Sequence, residues 1–187
     1  MNLLPTASQT VGPYFILGLE QLCRADLAAT ANPIERLVIR GQVTDGQGIP
    51  VPDAILEVWQ ADSEGRYSHS KFSDRTVGQD GFCGFGRIPT DADGHFRFIT
   101  VKPGPVPGPG MTMQAPHIVV LIFMRGLLKH LMSRIYFPAE GANEEDPILA
   151  LVPKERRSTL IARVASTSEL RWDVRLQGEG ETVFFDY

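Results

Sequence analysis

His117-Ile118-Val119-Val120-Leu121-Ile122-Phe123-Met124 is apolar at every position after its histidine. A strand turns alternate side chains to opposite faces, so a run apolar on both parities is covered on both sides. The stretch therefore reads as a central strand of a sheet. Working outward, Leu131-Met132-Ser133-Arg134-Ile135-Tyr136-Phe137 follows as another strand, ended by Pro138. Upstream lie Leu37 to Val43, Ala54 to Gln60, and His95 to Thr100, the last with period-2 alternation. Downstream are Leu160 to Val164, Arg171 to Leu176, and Thr182 to Asp186. Asp45-Gly46-Gln47-Gly48 and Asp91-Ala92-Asp93-Gly94 supply turn chemistry between them. Many short strands punctuated by turns predict an all-β chain, a single β-sandwich domain.

Two segments depart from this pattern. Residues 16 to 31 are rich in Leu and Ala and predict a helix or an arm, and Glu144 to Arg157 predicts a short helical insertion. The proline-rich stretch Lys102 to Gly110 has strand candidates on both sides, so it reads as an irregular loop within the domain. The division expected is an N-terminal arm over residues 1–34 that contacts a partner chain, and a sandwich domain over residues 35–187.

At 187 residues the chain is long enough for one domain with a real core. A formal net charge of -4 argues against a nucleic-acid or anionic-membrane surface. No apolar run approaches the roughly 20 residues of a membrane span. The N-terminus lacks a basic region followed by an apolar stretch, which predicts a cytoplasmic protein. Cys23 and Cys83 have no metal-type spacing and are expected as reduced structural thiols.

Several short motifs occur in a fixed order. Leu56-Glu57-Val58-Trp59-Gln60-Ala61-Asp62 is followed by Gly65-Arg66-Tyr67, then by Thr90 to Gly94, Val101-Lys102-Pro103-Gly104 and Pro116-His117-Ile118. Each piece alone is weak, but the ordered set resembles the intradiol ring-cleaving dioxygenases of catechol, hydroxyquinol and protocatechuate. The resemblance spans roughly residues 35 to 187. Ser8-Gln9-Thr10-Val11-Gly12-Pro13-Tyr14 and the ending Gln177 to Asp186 look specifically like the protocatechuate branch. The resemblance implies a ferric iron held by two tyrosines and two histidines, with open positions for the catechol.

Here the sequence departs from the family. Tyr67 matches the first tyrosine and His117 the first histidine, but Val106 stands at the second tyrosine and Val119 at the second histidine. Gln114 stands where active members carry an arginine. Valine has no lone pair for a metal, and two protein ligands are too few to hold iron. No metal and no catalytic residue is therefore expected on this chain alone. The resemblance implies that Fe(III) is bound by a homologous beta-type partner chain, which acts on protocatechuate and O2. It further implies higher-order assembly of paired chains. Thr10, Gly12, Pro13 and Tyr14 in the arm, and Arg134 in the Leu131–Phe137 strand, are expected to line the partner's substrate pocket.

Plainer readings exist for each residue. Trp59 is expected in the core. His69, His95 and His130 have no ligand spacing to one another and read as surface or structural residues, and Arg156-Arg157 reads as a solvated face. Two rival functions stay open at this point: a metal-free sandwich module that binds a peptide or carbohydrate, and a homomeric dioxygenase with relocated ligands.

Overall fold

The structure is a computed structural model describing residues 6–12, 14–29, 35–67 and 82–186. It is the expected β-sandwich. The first sheet is built on β1 (Arg36–Thr44), which pairs antiparallel with β4 (His95–Val101) on one side. On its other side β1 pairs in parallel with β10 (Glu169–Arg171) and then β11 (Val174–Arg175); β9 (Arg163–Ser166) lies outside β10. The second sheet runs β3-β2-β7-β8, from β3 (Phe85–Pro89) and β2 (Ile55–Trp59) to β7 (His117–Phe123) and β8 (Leu131–Tyr136). A short ribbon joins β5 (Val106–Pro107) to β6 (Met113–Gln114). The proline-rich loop thus carries a two-residue strand that its prolines concealed.

The core lies between the sheets, where alternation places it. Ile39, Val43, Phe96 and Phe98 from the first sheet, with Trp172 between β10 and β11, meet Leu56, Val58, Ile118, Val120, Ile122 and Ile135 from the second. β7 is the central strand expected: its even-numbered residues enter this core and its odd-numbered ones form the outer face. The same parity rule overturns the expectation for Trp59. Leu56 and Val58 point inward, so Trp59 belongs to the outer face with Glu57 and is 36% exposed.

Gln60, by contrast, is buried where the two sheets meet. Its side-chain amide donates to the Val101 carbonyl at 3.0 Å and accepts from the Thr100 hydroxyl at 2.6 Å. A buried amide is tolerated when its donor and acceptor both find partners, and here those partners tie β2's end to β4.

Two other expectations need correction. The stretch expected as one strand over Arg171–Leu176 is broken at Trp172-Asp173, so that β10 and β11 pair separately with β1. Thr182–Asp186 is no strand but makes an isolated bridge, Met132 to Phe185. The short helical insertions expected are present as 3₁₀ helices, at Gly141–Glu144, Leu149–Leu151 and Lys154–Thr159.

The arm is stitched to the sandwich by backbone hydrogen bonds. Arg24 exchanges them with Arg87 of β3 at 2.9 and 3.1 Å, and Leu27 donates to Ile99 of β4 at 2.8 Å. Residues 24–28 thereby close the gap between β3 and β4, with Leu27 and Ala28 in the core. Further out, Phe15 packs on Phe123 with ring centroids 6.1 Å apart, and the Thr10 hydroxyl accepts from the Gly126 amide at 2.7 Å. Both cysteines are free thiols, as expected.

Candidate functional site

The outer face of the second sheet carries the candidate site. Register aligns it directly: Trp59 of β2 pairs with Val119 of β7, Val119 with Arg134 of β8, and His117 with Tyr136. Residues paired in register share a face, so these side chains form one cross-strand patch. Two loops close over it. Tyr67 lies with its ring stacked on Trp59, centroids 6.1 Å apart and planes 10° from parallel. Val106 is paired with Gln114 in the β5–β6 ribbon, and Gln114 accepts a hydrogen bond from Arg134 Nη1 at 2.7 Å.

The loop before Tyr67 is shaped by Asp62, whose carboxylate accepts the backbone amides of Glu64 and Arg66 at 2.9 Å each. Gly65 has φ +79°, a region that favours glycine. It also backs onto Pro105, whose carbonyl oxygen would lie 2.1 Å from a Cβ at position 65. The Gly104 amide donates to the Asp62 carbonyl at 2.8 Å. These contacts join the Tyr67 loop to the Val106 loop, so the four ligand-type positions, far apart in sequence, are gathered around Arg134.

Arg134 is 6% exposed. Its guanidinium lies close enough to the Tyr136 hydroxyl for its charge to act on it, and 5.9 Å from the centre of the Phe185 ring. The C-terminal segment delivers Phe185 there, because Phe185 N donates to the Met132 carbonyl at 2.8 Å. Arg134 thus stands among the ligand-type positions of its own chain, in register opposite Val119 and bonded to Gln114.

His117 is buried, and its Nδ1 is 2.8 Å from the Ala115 carbonyl. A carbonyl only accepts, so Nδ1 carries the proton. Burial, reinforced by the Arg134 cation, lowers the His117 pKa to about 4. Tyr67 and Tyr136 are both pushed up by burial, against the pull of Arg134, so both are phenols at neutral pH. Tyr136 donates to Asp146 at 3.0 Å. Asp146 is fully buried and also accepts the amides of Ala115, Ile148 and Leu149. It thereby holds the Ala115 carbonyl that holds His117.

This donor set does not fit a ferric ion. Hard ferric iron wants several anionic oxygen or imidazole donors. At the four ligand-type positions stand one neutral imidazole, one protonated phenol and two valines, with a guanidinium beside them. Among the described residues no group of three or more His, Cys, Asp or Glu side chains could hold a metal. Trp59, Tyr136, Asp146 and Phe185 were not singled out as site residues from the sequence. Parity along β2 and β8 could have revealed Trp59 and Tyr136; nothing local marked Asp146 or Phe185. His95 and His130 are exposed, consistent with the plain reading, and His69 lies outside the described residues.

A pH dependence follows from His117. Its folded pKa lies below the unfolded value of 6.5, so the unfolded chain binds more protons between the two. The stability from a neutral His117 is complete above about pH 6.5 and is lost as pH falls toward 4. The loss is about 3 kcal/mol by the arithmetic of pKa shifts. Melting of the wild-type chain should therefore fall more steeply over this range than that of His117→Gln. Parallel curves for the two proteins would remove His117 as the cause.

Comparison with known proteins places this geometry. A family model described as "Dioxygenase" matches residues 11–178. The chain is 44% identical to a protocatechuate 3,4-dioxygenase alpha chain of Burkholderia cepacia over 201 residues, covering 99% of this chain and 98% of that one. It is 34% identical to the beta chain of a protocatechuate 3,4-dioxygenase of the same organism, covering 89% of this chain and 78% of that one. Among solved structures, the dioxygenase domain of a dioxygenase carbohydrate-binding protein fusion from Streptomyces sp. SirexAA-E superposes with TM-score 0.63. That pair is 28% identical, covering 96% of this chain and 99% of the other.

Proposed function

Since the chain belongs to the intradiol dioxygenase family, we propose that it is the iron-free alpha-type subunit of a protocatechuate 3,4-dioxygenase. The observation that carries the proposal is the state of its pocket. The loops and strands that would gather four ligands are all kept, while two of the four positions are valine. The similarity to an alpha chain over nearly the whole length supports the same reading. The complex uses O2 to cleave 3,4-dihydroxybenzoate between its hydroxyl-bearing carbons, giving 3-carboxy-cis,cis-muconate. Fe(III) and its chemistry belong to the homologous beta-type chain. This chain contributes assembly and pocket wall.

The arm supports a partner-facing role. Tyr14 is 78% exposed, and Leu17 and Leu22 beside it are also exposed. Neighbouring exposed apolar side chains are the usual mark of an interface. We assign Thr10, Gly12, Pro13 and Tyr14 to the wall of the partner's substrate pocket. Residues 1–34 act as the arm, with 24–28 as its anchor, and residues 35–187 as the sandwich domain. Arg134, expected from the sequence to share the pocket-lining role, is taken up below because its guanidinium is bonded to Gln114 beside this chain's own ligand-type positions. Among the described residues no helix is long and apolar enough to cross a membrane. A cytoplasmic location and higher-order assembly of paired chains belong to the same proposal.

The test is co-production with the ligand-complete homologue. Made alone, the chain should be colourless and inactive. With its partner it should give a coloured, iron-containing complex that cleaves protocatechuate. Deleting residues 6–15 should lower the activity of the complex far more than a deletion of equal length in another exposed loop. Stoichiometric iron and ring cleavage by this chain alone would defeat the proposal. So would a chain that binds peptide or carbohydrate and pairs with no dioxygenase subunit.

A further inference from the structure

The four ligand-type positions surround a positive charge supplied by the protein. Arg134 stands in register opposite Val119, is bonded to Gln114, and lies close enough to Tyr67, His117 and Tyr136 for its charge to act on all three. Its β-strand places it on the face where a metal would meet the ligands, and Phe185 backs its guanidinium from the C-terminal segment. We infer that Arg134 is the residue that excludes metal from this pocket, a fixed guanidinium occupying the place and the charge of the cation that the family holds there. The inference rests on family membership and not on the pairing proposed above.

The physical reason is that the pocket wall is polar on one side. The buried Tyr136 hydroxyl and the half-buried Tyr67 hydroxyl and Gln114 amide oxygen present electronegative atoms beside the guanidinium. With valine at two positions, a small cation there would lack enough ligands, whereas a planar guanidinium carries five donors and its own packing surface. Once seated, it repels any second cation across a few ångströms of low-dielectric interior. Loss of the two ligands and gain of the arginine are thus two separate barriers to metal. Restoring the ligands removes only the first.

The experiment loads ferrous iron in air onto two variants of the full chain. One is Val106→Tyr with Val119→His; the other adds Arg134→Gln, which keeps a hydrogen-bonding amide and removes the charge. Bound iron per chain and the visible tyrosinate-to-iron band are read for both, and circular dichroism and melting verify that each is folded. Where the chain is insoluble alone, the count is made on the co-produced complex, against the iron the partner brings. The triple variant should hold at least roughly tenfold more iron than the double variant, a decade of affinity being a modest demand for removing a nearby like charge. Equal loading of the two folded variants, whether high or low, overturns the inference. So does a selective change in the wild-type complex: a KM for protocatechuate raised about 10- to 100-fold by Arg134→Gln, with catechol unaffected, would put the guanidinium at the partner's substrate carboxylate. Absence of any complex in the co-production experiment would touch the proposed function and leave this test standing.

Discussion

Replacing Asp146 with alanine should cost about 4–6 kcal/mol, enough to leave little of the chain folded at 37 °C. The carboxylate is fully buried and accepts four donors: the amides of Ala115 at 2.8 Å, Ile148 at 2.9 Å and Leu149 at 2.7 Å, and the Tyr136 hydroxyl at 3.0 Å. Each buried donor left without an acceptor costs about 1–3 kcal/mol, and the costs are less than additive because the segment can relax. For a chain of this size the melting temperature should fall by roughly 10–20 °C. Asp146→Asn keeps one acceptor oxygen but turns a donor toward other donors, so it should fall between. The loss has a second reading at the site. The Ala115 amide would be released, and with it the carbonyl that orients His117. Alanine at 146 with melting within about 3 °C of wild type would show that these contacts carry no net stability.

Gly41→Ala should be as damaging, for a steric reason. Gly41 sits inside β1, where a Cβ would lie 1.7 Å from the Trp172 carbonyl oxygen and 2.7 Å from the tip of the Phe96 ring. Glycine within a strand often marks such a close backbone approach. The neighbouring Trp172 amide donates to the Arg40 carbonyl at 2.9 Å, and Trp172 itself is buried in the core. Since backbone cannot yield as a side-chain tip can, a methyl group must force β1 away from the Trp172 segment between β10 and β11. The expected cost exceeds about 4 kcal/mol, and the chain should appear mainly as aggregate. A soluble Gly41→Ala chain that melts near wild type would mean that this contact is looser than the structure has it.

Both positions show where local sequence stops being informative. Gly41 lay inside a run correctly read as a strand, and nothing adjacent in the sequence pointed to Trp172. Asp146 sat in a polar segment read only as a helical insertion.

What the sequence alone determined was whatever depends on local periodicity or on residue chemistry. Parity placed His117 and Val119 on one face of β7, and the missing lone pairs of Val106 and Val119 spoke against a metal without any coordinates. The turns at Asp45–Gly48 and Asp91–Gly94 were legible because Asp and Gly favour such turns in isolation, and Gly48 and Gly94 do take positive φ. Strand β3, with Gly86 and Pro89, was missed because an edge strand tolerates residues that a central one does not. Tertiary structure alone decided three matters. It stacked Tyr67 on Trp59, it brought the C-terminal segment across β8 to back Arg134, and it paired Arg134 with Val119. The reason is common to all three: strand register and loop closure bring together residues far apart in the chain, and the charge of Arg134 acts through those neighbours in space.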